Sequence, residues 1–179
     1  MTNYELHSMM HVAEANISGL EESDVCKQSV TGYKFTPEST NCRVQISGGS
    51  EEQENPWKLM IYGGTSTQEA KSHINELKQD IEKGGGEFEL IRPPEITNLV
   101  VGGSLDHSVN LESISVRLNK EDSDVEYEPE QFPALILHLD EPSCTVLLFS
   151  TGELLIQGVS ELEPVPEIIE RVKKRVKES

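Results

Sequence analysis

Tyr127-Glu128-Pro129-Glu130-Gln131-Phe132-Pro133-Ala134-Leu135 opens a segment that runs on to Leu147-Leu148-Phe149-Ser150-Thr151-Gly152. The first stretch is a proline-punctuated acidic turn. Behind it, residues 134–139, 144–149 and 153–157 read as three strands, with Glu141-Pro142-Ser143 and Ser150-Thr151-Gly152 as the tight connections. Upstream, residues 96–101 read as another strand. Asp106 to Lys120 read as one or two short helices, with Val109, Leu111, Ile114 and Leu118 inward. Downstream, Ile168, Ile169, Val172 and Val176 form the apolar face of a closing helix, and Pro164 and Pro166 sit where a first turn tolerates proline.

The strands are apolar at both parities. Leu154 and Ile156 share one face and Leu155 lies on the other; Val146 and Leu148 oppose Leu147 and Phe149. An antiparallel sheet with helices on one side is expected to carry a polar second face. An apolar one is either covered or is a binding surface.

A degraded echo of this segment precedes it. Phe35-Thr36-Pro37-Glu38 echoes Tyr127-Glu128-Pro129-Glu130, and Leu59-Met60-Ile61-Tyr62-Gly63-Gly64 echoes Leu147 to Gly152. Ala70, Ile74, Leu77 and Ile81 recur at helical spacing. Ser66 or Thr67 is the expected cap, and Gly84-Gly85-Gly86 the stop. The boundary between copies is placed at Glu87 to Pro94, with Pro93-Pro94 as hinge, giving units 1–92 and 93–179. Thr40 then stands opposite Phe132 and Tyr62 beside the place of Phe149, and a strand after Gly63-Gly64 is missing. Sheet segments closed by a helix, used twice, predict an α+β fold: a curved antiparallel sheet with its helices on one face.

The pattern Tyr-x-Pro-Glu-x-Phe-Pro, a small residue and Leu, then a strand ending Phe-Ser-Thr-Gly, resembles the second repeat of the TATA-box-binding protein family in its archaeal form. The likeness extends from about Ile96 to Gly158. It implies a saddle of two pseudo-symmetric repeats, the first degenerate. It implies that Phe132 and Phe149 are the wedges that enter DNA, and that Asn98 reads the centre of the minor groove. Val100, Leu147 and Leu155 then form the apolar floor, with Gln157 where the family has a base-bonding Thr. Glu128 and Glu130 match the acidic stirrup that contacts transcription factor B. The departures are specific too. His138 replaces a phosphate-contacting Arg and Glu153 a Lys, which exchanges attraction to phosphate for repulsion.

Composition bounds the rest. The 179-residue chain carries a net charge of −17, and no Lys or Arg occurs between Glu121 and Glu170. The dense basic run is Arg171 to Lys177. Charge neutralisation of phosphate needs cations at the contact, so weakened DNA binding is expected of the second copy. The acidity is read as a solvated surface, with adaptation to high cytoplasmic salt as the rival explanation. Three cysteines at wide spacing suit reduced thiols, and no apolar run approaches a membrane span. A cytoplasmic location follows. His7 and His11 share helical spacing but lack a completed ligand set, so no metal and no cofactor is expected. No nucleophile-base grouping is legible, so no catalytic residues are assigned and the chain is not read as an enzyme. The expected partners are A·T-rich promoter DNA and a transcription factor B-like protein. The alternative is a non-DNA-binding module that regulates the transcription machinery. A second copy docking on the sheet underside, as a homodimer, is another occupant of that face.

Overall fold

The computed structural model describes residues 3–38, 41–50, 55–121 and 124–177. In chain order the elements are β1 (Tyr4–Ser18), β2 (Lys27–Ser29), β3 (Gly32–Phe35), β4 (Arg43–Ser47), β5 (Trp57–Tyr62), α1 (Thr67–Lys83), β6 (Glu87–Ser104), α2 (Leu111–Glu121), β7 (Val125–Glu126), β8 (Ala134–Asp140), β9 (Ser143–Phe149), β10 (Glu153–Val159) and α3 (Val165–Lys177). Two compact units result. One is Ser8–Thr97; the other is Asn98–Ser179 together with Met1–His7.

In the Ser8–Thr97 unit the antiparallel order is β2-β3-β4-β5-β1. One sheet face is buried. Ala13, Ala15 and Ile17 of β1, Val44 and Ile46 of β4 and Leu59 and Ile61 of β5 pack with Ala70, Ile74, Leu77 and Ile81 of α1. The predicted helix is therefore present, and its ends follow from local chemistry. The Ser66 hydroxyl accepts the Glu69 N–H at 3.1 Å, which satisfies one orphan donor of the first turn. At the other end Gly85 takes a positive φ of 91°, and the Gly86 N–H returns to the Ile81 carbonyl at 2.9 Å.

The second unit has the corresponding order β7-β8-β9-β10-β6. Leu99 and Val101, Leu154 and Ile156, Val146 and Leu148, and Leu135 and Leu137 are buried, as are Ile168, Ile169 and Val172 of α3. A Cβ on Gly103 would sit 2.9 Å from Ile169, which places α3 directly on this sheet face. Arg117 of α2 donates to the Arg175 carbonyl at 2.6 Å. It thereby satisfies an orphan acceptor at the C-terminal end of α3 and complements the helix dipole. Among the described residues, no helix is long and apolar enough to cross a membrane, and none of the three cysteines forms a disulfide.

Three expectations need correction. Pro93-Pro94 is not a hinge but lies inside β6. Proline's fixed φ and its extended-region bias on the preceding residue both suit a strand that needs no N–H there. No strand is missing after Gly63-Gly64, since β5 holds in its sheet the place that β10 holds in the other. Nor do His7 and His11 share a helix turn. Both lie on β1, where four residues span roughly 13 Å. Thr40 and the acidic loop residues 51–54 lie outside the described residues.

Candidate nucleic-acid interface

The face of each sheet opposite its helix is open, and register assigns its residues. In the unit containing β6 to β10, Ile136 pairs Leu147 and Leu147 pairs Leu155. Gln157 lies between Val100 and Thr145. These side chains alternate with the buried ones and are themselves only half-buried. Leu147 and Leu155 are direct cross-strand neighbours, and Val100 and Phe149 lie on the same face in the flanking rows, with Asn98 and Gln157 as its polar members.

Phe149 lies opposite Ala134 in register, and the small residue leaves room for the incoming ring of Phe132. The two rings meet edge to face, 6.3 Å between centroids at 62°, an orientation favoured by their quadrupoles. Phe132 is 40% exposed, unusual for a large apolar side chain. Its position is set by the preceding turn, where the Glu128 carbonyl accepts the N–H groups of Gln131 and Phe132 at 2.9 and 3.0 Å. That turn leaves Glu128 and Glu130 exposed. Asn98 is oriented by its neighbour: its Oδ1 accepts the Gly158 N–H at 2.6 Å, which directs its amide donors elsewhere. Register thus puts Val100, Leu147, Phe149, Leu155 and Gln157 on one face, Phe132 contacts Phe149, and the exposed Glu128 and Glu130 lie on the turn before Phe132.

Charge is distributed unevenly. His138 stands on this face near Glu126, 3.7 Å away, and Glu153 is exposed at the start of β10. Glu153 and Phe149 also line a groove of about 630 Å³ with Tyr4, Glu5 and His7. No cation stands on the open face of this unit among the described residues of β7 to β10.

The open face of the Ser8–Thr97 unit differs. By register it holds Lys27, Lys34 and Gln45 in one row, Arg43 and Tyr62 in the next, and Lys58 opposite Glu14. All four cations are exposed. Arg43 lies over the Tyr62 ring at 4.7 Å, and Glu14 is paired to Arg92 at 3.8 Å. Among the described residues no acidic side chain lies within ion-pair distance of Lys27, Lys34 or Lys58. Lys27 and Lys34 are directly opposite each other, a cross-strand arrangement that costs stability unless an anion is bound.

These cations were missed by sequence reasoning, although the period-2 alternation in Arg43-Val44-Gln45-Ile46-Ser47 and Trp57-Lys58-Leu59-Met60-Ile61-Tyr62 contained the signal. The register also corrects the expected wedge counterparts. Tyr62 occupies the place of Gln157, and Phe35, opposite Val44, that of Leu137, opposite Val146. Ser47 stands where Phe149 stands, opposite Gly32 where Phe149 has Ala134. Val30, fully exposed two residues before Gly32, then stands where Phe132 does. The motif echo misled because Phe35 is a core residue followed by chance by Thr-Pro-Glu.

Comparison with known proteins agrees with this architecture. The profile of the family described as "Transcription factor TFIID (or TATA-binding protein, TBP)" matches residues 93–179. The chain is 34% identical over 176 residues to TATA-box-binding protein B of Halobacterium salinarum, covering 97% of this chain and 94% of that one. It is 35% identical over 119 residues to TATA-box-binding protein D of the same organism, covering 66% of this chain and only 63% of that relative's length. The solved structure of Methanococcus jannaschii TBP shares the fold, with a TM-score of 0.80, 23% identity and 99% of both chains covered.

Proposed function

Because this chain belongs to the TATA-box-binding protein family, we propose that it is an archaeal-type transcription initiation factor whose open sheet faces contact A·T-rich promoter DNA. The observation that carries the reading is the Phe132–Phe149 pair: two aromatic rings in edge contact, one of them 40% exposed, on a half-buried apolar face. Apolar wedges of this kind unstack base steps and bend the duplex toward the major groove, a mechanism for which this family is itself the type example. Asn98 and Gln157 supply polar edges beside the wedges. A minor groove offers only a degenerate pattern, so readout there separates A·T from G·C and little more.

The two units are proposed as pseudo-symmetric repeats with different tasks. The face with the phenylalanines lacks cations, and Glu153 repels phosphate, so it contributes base-step contact at little electrostatic gain. The face with Lys27, Lys34, Arg43 and Lys58 has lost both wedges and binds phosphates instead, without base readout. Binding to DNA by this chain alone is accordingly weak and strongly salt-dependent.

Glu128 and Glu130 form the proposed stirrup for a transcription factor B-like protein. Two exposed carboxylates on a turn fixed by backbone hydrogen bonds favour a basic partner patch and speed its encounter. The test is a mobility shift on A·T-rich and G·C-rich duplexes across salt, with and without a transcription factor B. Preferential retardation of the A·T-rich duplex, strengthened by the factor, is the expected result. Equal binding to both duplexes with no effect of the factor would leave a non-DNA-specific interaction module as the better reading.

A further inference from the structure

The Gly63-Gly64 turn has a consequence unconnected with either open face. It lies against Cys42 and Glu69, and the ligand atoms of Cys42, Glu69 and His73 all fall within 4.8 Å of one another. Cys42 immediately precedes β4. Glu69 and His73 are four residues apart on α1 and so share one side of that helix. Cys42 and His73 are each only 4% exposed.

The set has the character of a site. His73 Nε2 is buried and has no hydrogen-bond partner, a state that is destabilising for a polar atom and calls for an occupant. One oxygen of Glu69, Oε2, accepts the Thr65 N–H at 3.0 Å, which orients the carboxylate and leaves Oε1 available. Space is kept by the two glycines. A Cβ on Gly64 would come within 2.9 Å of Glu69 Oε2, and one on Gly63 within 3.2 Å of the Cys42 sulfur. Both glycines also adopt positive φ, 98° and 79°, and the turn is pinned to β1 by Gly63 N–H donating to the Met9 carbonyl and Met9 N–H to that of Gly64.

The geometry points to a zinc-class divalent metal site formed by the Cys42 thiolate, a Glu69 carboxylate oxygen and a His73 ring nitrogen. Sulfur, nitrogen and oxygen donors together suit a borderline-soft cation. Tetrahedral coordination would bring the donors to about 3.3–3.6 Å of one another, a contraction that side-chain rotation supplies. Two anionic ligands neutralise the ion, as required near a helix N-terminus, whose dipole opposes a bare cation. Water completes the fourth position. On binding, the Cys42 thiol releases its proton to solvent. The ion then ties the start of β4 to the first turns of α1, within the unit that carries the cationic face.

The test is titration of the reduced, metal-free full chain with cobalt(II), followed by zinc(II). One cobalt per chain is expected, with a thiolate-to-cobalt charge-transfer band and four-coordinate visible absorption, both abolished by zinc. Cys26→Ser and Cys144→Ser leave the band intact, and Cys42→Ser removes it. Glu69→Gln keeps an acceptor for Thr65 and hence the fold. It should weaken cobalt affinity by more than the roughly 10- to 100-fold that loss of an outer-sphere partner causes. Zinc should raise the melting temperature of the wild type and not of Cys42→Ser. A reduced wild type without the charge-transfer band, or a band that survives Cys42→Ser, overturns the assignment. Should Cys42→Ser fail to fold, unaltered cobalt affinity in Glu69→Gln overturns it equally.

Discussion

Lys34→Met separates a functional cation from a structural one. Lys34 lies directly opposite Lys27 on β2 and next to Gln45 on β4, with its side chain exposed. Removing one of two opposed like charges should leave stability unchanged or raise it by about 0.2–1 kcal/mol. DNA should respond in the opposite sense. If Lys27, Lys34, Arg43 and Lys58 each neutralise a phosphate, log K falls with log salt at a slope of about −0.9 × 4, or −3.6, against about −2.7 for the variant. Between about 50 and 200 mM salt the wild type should therefore lose about 150-fold in affinity and the variant about 40-fold. Fluorescence anisotropy of a labelled A·T-rich duplex at graded salt measures the slopes, and urea melts of the protein alone measure stability. An unchanged slope in Lys34→Met, accompanied by a loss of stability, would refute the reasoning.

Other perturbations have equally definite outcomes. Phe149→Ala should abolish preference for A·T-rich over G·C-rich duplex in a competition shift, and Glu153→Lys should strengthen binding by about 1 kcal/mol, the scale of one exposed charge contact. Glu128→Arg with Glu130→Arg should eliminate capture of transcription factor B, because like charges would then meet at the contact, while thermal stability stays within about 0.5 kcal/mol. Burial lowers the pKa of His11 below its ordinary 6.5. Its neutral form is therefore the one the fold accepts. Stability from this group is complete above pH 6.5 and falls as pH drops through 6.5 toward the folded-state pKa. Urea midpoints measured across that interval should decline, and His11→Gln should flatten the decline.

What could be read from the sequence followed the strength of local signals. The strands of β8 to β10 were legible because Leu, Ile, Val and Phe alternate between turns rich in Pro, Ser and Gly. The helix Thr67–Lys83 was legible to within a residue because apolar spacing, a Ser or Thr cap and a glycine stop coincide. Strand β1 was not. Its inward residues include Ala13, Ala15 and His11, too small or too polar to mark a period of two, although all three are fully buried. The Pro93-Pro94 step looked like a hinge because proline usually punctuates, yet β6 runs through it. The site divided in the same way. Phe132, Phe149 and Asn98 stood in a specific motif. The cations of the other face lie singly on four separate strands and converge only through sheet register, which spacing along the chain does not encode. The Cys42, Glu69 and His73 grouping was hidden for the same reason: Cys42 is remote in sequence from the helix that supplies its neighbours.

The central claim is that Phe132 and Phe149 enter DNA and open a base step. Fluorescence resonance energy transfer between the ends of a short A·T-rich duplex measures that most directly. Saturating wild-type protein should bring the ends closer, as bending requires. Phe132→Ala with Phe149→Ala should remove the change even at concentrations where the cationic face still holds the duplex. End-to-end transfer that does not move when the wild type binds, or that moves equally for the double variant, would contradict the account.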